Sequence, residues 1–290
     1  MITALDHVAV AVRDLPAAIE GYRTLLGLEP NWVGGDGGAR HAWFQLPNMA
    51  LDVISPQGEG EFGDRMRAHL DAHGEGIWAV AFTVGRSVDE IEPFQRLMNR
   101  RGIRTPAPSL TRSTHDDGRR RYWLDAAAEP EDAGGLQILL IAAPRDGTPW
   151  PLSPAVDGAP ATKLDHVVVQ TANAERALAI YGAKLGLDLR LDRTNPQWGM
   201  RQIFFVTGDA IVEIGASLKT PASDAPDSFG GLVWRVADLD AAHARIAAAG
   251  FAVSEVRTGR KPGTKVFTVR DAPGGVPTLM LSAEPQMEPA

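Results

Sequence analysis

The residues best placed to do chemistry in this chain are two histidines, each preceded by an aspartate and opening an apolar run. Leu5-Asp6-His7-Val8-Ala9-Val10 returns 159 residues later as Leu164-Asp165-His166-Val167-Val168-Val169. The same offset carries Tyr22 onto Tyr181 and Leu26-Gly27-Leu28 onto Leu185-Gly186-Leu187 without a gap, which marks an internal repeat. An imidazole on such a strand can transfer a proton, ligate a metal, or only bond a neighbour. No cysteine occurs in the chain, so thiolate metal sites, cysteine nucleophiles and disulfides are excluded.

The elements that must position these histidines follow from periodicity. Residues 4–12 alternate as a strand, with Val8, Val10 and Val12 on one face and His7, Ala9 and Ala11 on the other. Asp14 caps a predicted helix running to about Leu26, and Gly27 ends it. Strands at 41–46 and 50–54 flank the turn dipeptide Pro47-Asn48. The scheme restarts with a strand at 78–84, a helix over about 88–101, and strands at 120–124 and 136–141. Five prolines within 143–163 mark a linker, in which Trp150 is expected to dock on a domain face. The second half repeats the plan: strand 164–171, helix 174–185, strands 201–207 and 210–214, strand 231–236, helix 239–249, and strands 265–269 and 277–282. The expected domains are therefore 1–142 and 164–284, with 143–163 between them and a tail at 285–290.

A chain of 290 residues, 44% hydrophobic and 22% charged, can bury two cores. A net charge of −7 argues against a nucleic-acid or anionic-membrane partner. Arg119-Arg120-Arg121 is the basic run, read as a solvated loop. No apolar run approaches the roughly 20 residues of a membrane span, and no leader precedes the first strand. A cytoplasmic protein is expected.

The two histidine strands, the "LGL" after each helix and the "V-x-D-L" of Val236–Leu239 resemble the vicinal oxygen chelate superfamily of glyoxalases, extradiol dioxygenases and fosfomycin-resistance proteins. The resemblance implies an α+β fold of four βαβββ units, paired into two incomplete mixed β-barrels. It also implies a divalent metal (Fe, Mn, Zn, Ni or Mg) in a concave site. Glu213 of Asp209–Gly215 matches the family's fourth-strand carboxylate, and Asp52 takes the comparable place in the first domain. The family's second histidine falls on Ala79 and Gly231, and its closing carboxylate on Ile138 and Thr278. Each domain thus keeps two ligand positions, His7 with Asp52 and His166 with Glu213, where a catalytic metal normally takes three. The complete triad of a ring-cleaving dioxygenase is missing, which disfavours that reaction.

Strand parity then assembles the sites. With His166 on the concave face go Val168, Gln170, Glu213, Arg235 and Thr278, a polar cluster able to bind metal and an anionic substrate group. The first concavity holds His7, Ala9, Ala11, Asp52, Ala79, Ala81, Thr83, Ile138 and Leu140, a mostly small and apolar surface. The parity of His41 and Trp43 stays open, and His69, His73 and His115 are read as solvated. The second concavity is the expected working site, with His166 and Glu213 as catalytic and metal-binding residues. Gln170, Arg235 and Thr278 would bind substrate there. The function expected is a lyase or isomerase that passes an oxygenated small molecule through an enolate-like intermediate. A protein that only binds or sequesters a small molecule is the second reading. A scaffold whose sites have decayed is the third. An oligomer is compatible with all three.

Overall fold

The computed structural model describes residues 1–142, 150–156, 158–260 and 262–282. Four βαβββ units follow one another. The first contains β1 (Ile2–Ala11), α1 (Leu15–Leu26), β2 (Trp32–Asp36), β3 (Ala39–Gln45) and β4 (Ala50–Pro56). An extra helix, α2 (Glu61–His73), leads to the second: β5 (Gly76–Val84), α3 (Ile91–Arg100), β6 (Ser109–His115), β7 (Arg120–Ala127) and β8 (Gln137–Ala142). The third contains β9 (Ala161–Thr171), α4 (Ala174–Ala177, continued by a π-helical stretch Leu178–Lys184), β10 (Asp188–Asn195), β11 (Met200–Thr207) and β12 (Ala210–Ser217). The fourth contains β13 (Ser228–Val236), α5 (Leu239–Ala248), β14 (Arg257–Thr258), β15 (Lys265–Val269) and β16 (Thr278–Ser282).

Local chemistry starts and stops the helices. Asp14, Asn173 and Asp238 each accept a bond at 3.0 Å from the backbone N–H three residues on, satisfying a donor the helix leaves orphaned. Gly27 takes the left-handed conformation (φ 66°) that ends α1.

The first sheet runs β1-β4-β3-β2-β6-β7-β8-β5 and closes on itself, because β5 pairs with β1. It is thus a complete barrel where the family resemblance implies an incomplete one. Closure depends on β2 meeting β6 through Gly34↔His115 and Gly35↔Thr114. A Cβ on Gly34 would lie 2.2 Å from the Thr114 carbonyl oxygen, so only glycine allows that approach. The second sheet, β10-β11-β12-β9-β13-β16-β15-β14, stays open. Its edges are the two-residue β14 and β10, whose first seven residues are exposed.

One hydrophobic core spans both halves, joining Tyr22, Phe44, Phe82 and Phe94 to Tyr181, Phe205, Trp234 and Phe267. Arg245 of α5 ties the halves further by donating to the carbonyls of Thr24, Leu25 and Ala159. Tyr22 donates to the Pro273 carbonyl at 3.0 Å. Of the linker, residues 143–149 lie outside the described residues, as do residues 283–290 with the tail. Residues 150–156 lie along the first half: Ser153 N–H donates to the Gln45 carbonyl, and Leu28 bridges Ala155. Periodicity misses β2, α2, β6, β10 and β14. Two are too short or too glycine-rich to alternate; β6, β10 and α2 carry few apolar residues.

Candidate functional site: a barrel chamber flanked by two histidine–aspartate dyads

Consecutive strand residues normally point to opposite faces. Asp6 and Asp165 escape that rule because each is the extra residue of a β-bulge. In the β1–β5 ladder Leu5 faces Phe82 and His7 faces Ala81, leaving Asp6 unpaired. The β9–β13 ladder skips Asp165 in the same way. The bulge lets each aspartate bond the next residue, with Asp6 on His7 Nδ1 and Asp165 on His166 Nδ1, both at 2.8 Å. The second oxygen of each aspartate is held from the neighbouring strand. Thr83 Oγ1 donates to Asp6 at 2.9 Å, and Arg235 Nε donates to Asp165 at 2.5 Å. Both aspartates recur in the repeat, which is the signal the sequence carries for them; simple alternation places them on the wrong face.

Beyond the dyads the halves diverge. In the second half His166 Nε2 meets Glu213 Oε2 at 3.0 Å, and Gln202 donates to Glu213 Oε1 at 2.6 Å. Arg235 also donates to the Ser282 carbonyl. Burial opposes charge on His166, but bonds to Asp165 and Glu213 outweigh it and push its pKa up to about 9. The same network holds Asp165 and Glu213 below their ordinary values despite burial. Arg235, Asp165, His166 and Glu213 thus form alternating charges that satisfy one another. Strand parity converges Arg235 with Glu213; its carboxylate partner is instead Asp165. Gln170 shares the His166 face but is exposed. Thr278 does not share it. It pairs with Leu232, lies in the opposite layer and donates to the Val276 carbonyl, while Leu279 and Leu281 pack beside Val233.

In the first half Asp52 occupies the place of Glu213, and His41 that of Gln202. Asp52 accepts from His41 Nδ1 at 3.0 Å and is not bonded to His7, so the expected His7–Asp52 pair is replaced by His41–Asp52. The shorter aspartate does not reach across, and the Trp43 ring stands against His7 at 4.8 Å instead. The Asp6–His7 dyad, through His7, and this second His41–Asp52 dyad border one chamber of about 680 Å³. Its walls include Trp43, Trp78, Trp123, Tyr122 and Phe62, with Gln137, Leu139 and Ile141 from β8. The expected apolar surface of small residues is corrected accordingly. Ile138 and Leu140 point the other way, into the common core, because Ala79 is in register with Gln137 and Ala81 with Leu139. Ala9, Ala11 and Ala79 pack against Met66 and Leu70 of α2, whose Phe62 and Arg65 also line the chamber. His41 stacks parallel to Phe62 at 5.9 Å. Burial opposes charge on His7, but the bond and charge of Asp6, with Asp52 and Asp125, raise it above the ordinary histidine value. With Nδ1 engaged by Asp6, Nε2 is the nitrogen His7 offers a ligand.

Family models described as the glyoxalase/bleomycin resistance protein/dioxygenase superfamily match residues 6–122 and 163–277, and the chain belongs to this superfamily, as a tandem vicinal oxygen chelate protein. An ethylmalonyl-CoA/methylmalonyl-CoA epimerase of Cereibacter sphaeroides is 43% identical over 65 residues, 21% of this chain and 46% of that protein. The chain therefore spans about half the length of this curated relative. A variant of 4-hydroxymandelate synthase from Streptomyces coelicolor shares the fold, with a TM-score of 0.69 at 14% identity over 100% of this chain and 95% of its own. The Mn(II)-bound glyoxalase from Novosphingobium aromaticivorans does so with a TM-score of 0.62 at 15% identity, over 97% and 82%.

The family implies a divalent metal, and the donors present do not compose a site for one. Among the described residues no group of three or more His, Asp or Glu is disposed to hold an ion. His166 and Glu213 spend their facing atoms on each other, and Ala79 and Gln137 stand at the other first-half positions. Among the described residues no helix is long and apolar enough to cross a membrane.

Proposed function

We propose that the chain is an isomerase-type enzyme of the vicinal oxygen chelate superfamily, working in the first barrel by proton transfer on an oxygenated carbon acid. The observation that carries it is the placing of two histidine–aspartate dyads on one aromatic chamber. The aspartate of a dyad fixes the tautomer and orientation of its histidine and stabilises the imidazolium. His41, held by Asp52, takes the proton from the carbon beside the carbonyl. His7, held by Asp6, donates from Nε2 to the carbonyl oxygen as the C–H electrons move into the enolate. His41 then returns a proton to carbon as the enol O–H proton passes back to His7 Nε2, which restores the carbonyl and both histidines. The raised pKa of His7 suits the donor role. The epimerase relative supports an isomerase rather than a lyase. In this scheme the closed charge network around His166 is structural.

The test is exchange of α-protons in D₂O, followed by NMR, with 2-hydroxyacetophenone and phenylacetone as probes. Exchange above background is expected, falling at least a hundredfold in His41→Asn and in His7→Gln. Exchange that survives in the double variant, or its absence with both probes, rejects the scheme. Saturable quenching of tryptophan fluorescence without exchange would favour the second reading, a binding protein, for which the tryptophan-rich walls speak.

A further inference from the structure

Arg121 belongs to the basic run that charge patterning assigns to a solvated loop. In the fold it lies on β7 and is only 5% exposed. Its guanidinium is sandwiched between two indoles, 4.1 Å from the centroid of Trp32 and 4.2 Å from that of Trp150. Its Nε has no hydrogen-bond partner, and it makes no ion pair among the described residues. The neighbouring Arg119 is committed to Asp117 and gives no relief. Burial and the Arg119 charge pull the Arg121 pKa down to about 10, which leaves it a cation at neutral pH. A buried cation without a bonded counter-charge is costly, and the more distant charge of Asp52 and the stacking of aromatic faces compensate only part of that cost.

The space beside this cation supplies a reason. Arg121, Trp43, Trp123, Trp150, Asp6 and His7 enclose a side pocket of about 20 Å³, room for a water or one small planar group. It adjoins the main chamber through shared walls, His7, Trp43, Trp123 and Ile141. The indoles cover the faces of the guanidinium, so its N–H edge is the part a ligand can use, and that edge matches a carboxylate in a bidentate fork. Asp6 offers no competing salt bridge there, since its oxygens are held by His7 and Thr83.

We infer that Arg121 is the anion-binding residue of the chamber, and that its ligands are small aromatic carboxylic acids whose carboxylate enters the side pocket past His7. This rests on the first-barrel chamber proposed above and adds the substrate class. Sequence charge patterning could not show it, because Arg120 and Arg121 point to opposite faces of β7 and only the pairing of β7 with β6 decides which is buried.

Binding, rather than turnover, tests it. Benzoate, phenylacetate and 3-phenylpropionate are titrated against the full chain by tryptophan fluorescence and calorimetry, each beside its neutral amide. At least one acid should bind tenfold or more tightly than its amide. In Arg121→Gln that preference should fall to about onefold while amide affinity is unchanged. His41→Asn should keep the preference. If no acid outbinds its amide on the wild-type protein, or if Arg121→Gln keeps the preference, the inference is overturned. Loss of acid and amide binding alike in Arg121→Gln would overturn it too, as a packing role. Should Arg121-dependent acid binding occur without proton exchange on any probe, the anion site stands and the proposed reaction falls. If neutral ketones exchange while no acid shows Arg121-dependent binding, the reaction stands and the anion site falls.

Discussion

A histidine beside an aspartate on a strand is ordinarily two side chains facing apart, and here one extra backbone residue makes them partners. The consequence at His166 is a charge network whose worth depends on pH. Its folded pKa, about 9, lies above the ordinary 6.5, so its contribution is fully present below about 6.5 and lost as pH rises through 9. That shift corresponds to roughly 3 kcal/mol. Urea unfolding should therefore show wild type more stable than His166→Asn by about that margin at pH 6, shrinking strongly by pH 10. A margin that does not change with pH would mean that the imidazolium contributes nothing. Asp165→Asn asks a sharper question, because it removes a carboxylate partner of a buried Arg235. A loss of about 3–5 kcal/mol is expected at pH 7, beyond what Asp6→Asn costs, where a threonine rather than an arginine holds the second oxygen.

At the scale of elements, the chamber exists because a strand carrying two glycines can lie against β6, and because α2 covers the interior. Gly34→Val would drive a side chain into the Thr114 carbonyl, 2.2 Å from the added Cβ. Opening of the β2–β6 seam is the expected result, read as faster hydrogen exchange of the β2 and β6 amides with the β1–β5 ladder still protected. Protection unchanged across that seam would show that the barrel does not need glycine there. The second sheet lacks the means to close. β10 keeps side chains along its length, and Leu189 and Leu191 remain exposed. One half thus has a walled chamber, while the other presents an open face on which the charges are already paired.

For the whole molecule, the two sheets share a core and are not beads on a linker. Tyr22 reaches Pro273, and Arg245 satisfies carbonyls at the end of α1, where a cation also complements the helix dipole. A single calorimetric unfolding transition is expected for the full chain, with enthalpies from area and from temperature dependence in agreement. Arg245→Met should lower stability by about 1.5–3 kcal/mol without splitting that transition. Two separated transitions in the wild-type chain would mean that the halves fold independently.

The repeat, the helix caps, the glycine stops and the pairing of units were all written locally. Periodicity and capping act over a few residues, and a gapless offset needs no knowledge of contacts. For that reason His7 and His166 could be singled out, and Val8 and Val10 assigned to the core face, before any fold was in view; Asp52 and Glu213 followed only from the resemblance to the vicinal oxygen chelate superfamily. What each histidine touches could not be read the same way. A bulge shifts parity by one, so Asp6 and Asp165 join the histidines and Arg235 turns to Asp165 rather than to Glu213. One methylene between Asp52 and Glu213 decides whether the carboxylate meets the first-strand histidine or leaves it to the chamber. Gln137 replaces Ile138, and Leu279 replaces Thr278, because register between parallel strands is set by their packing across the sheet. Arg121 is buried for the same reason: Trp32 and Trp150, far apart in the chain, close over it only when the barrel closes.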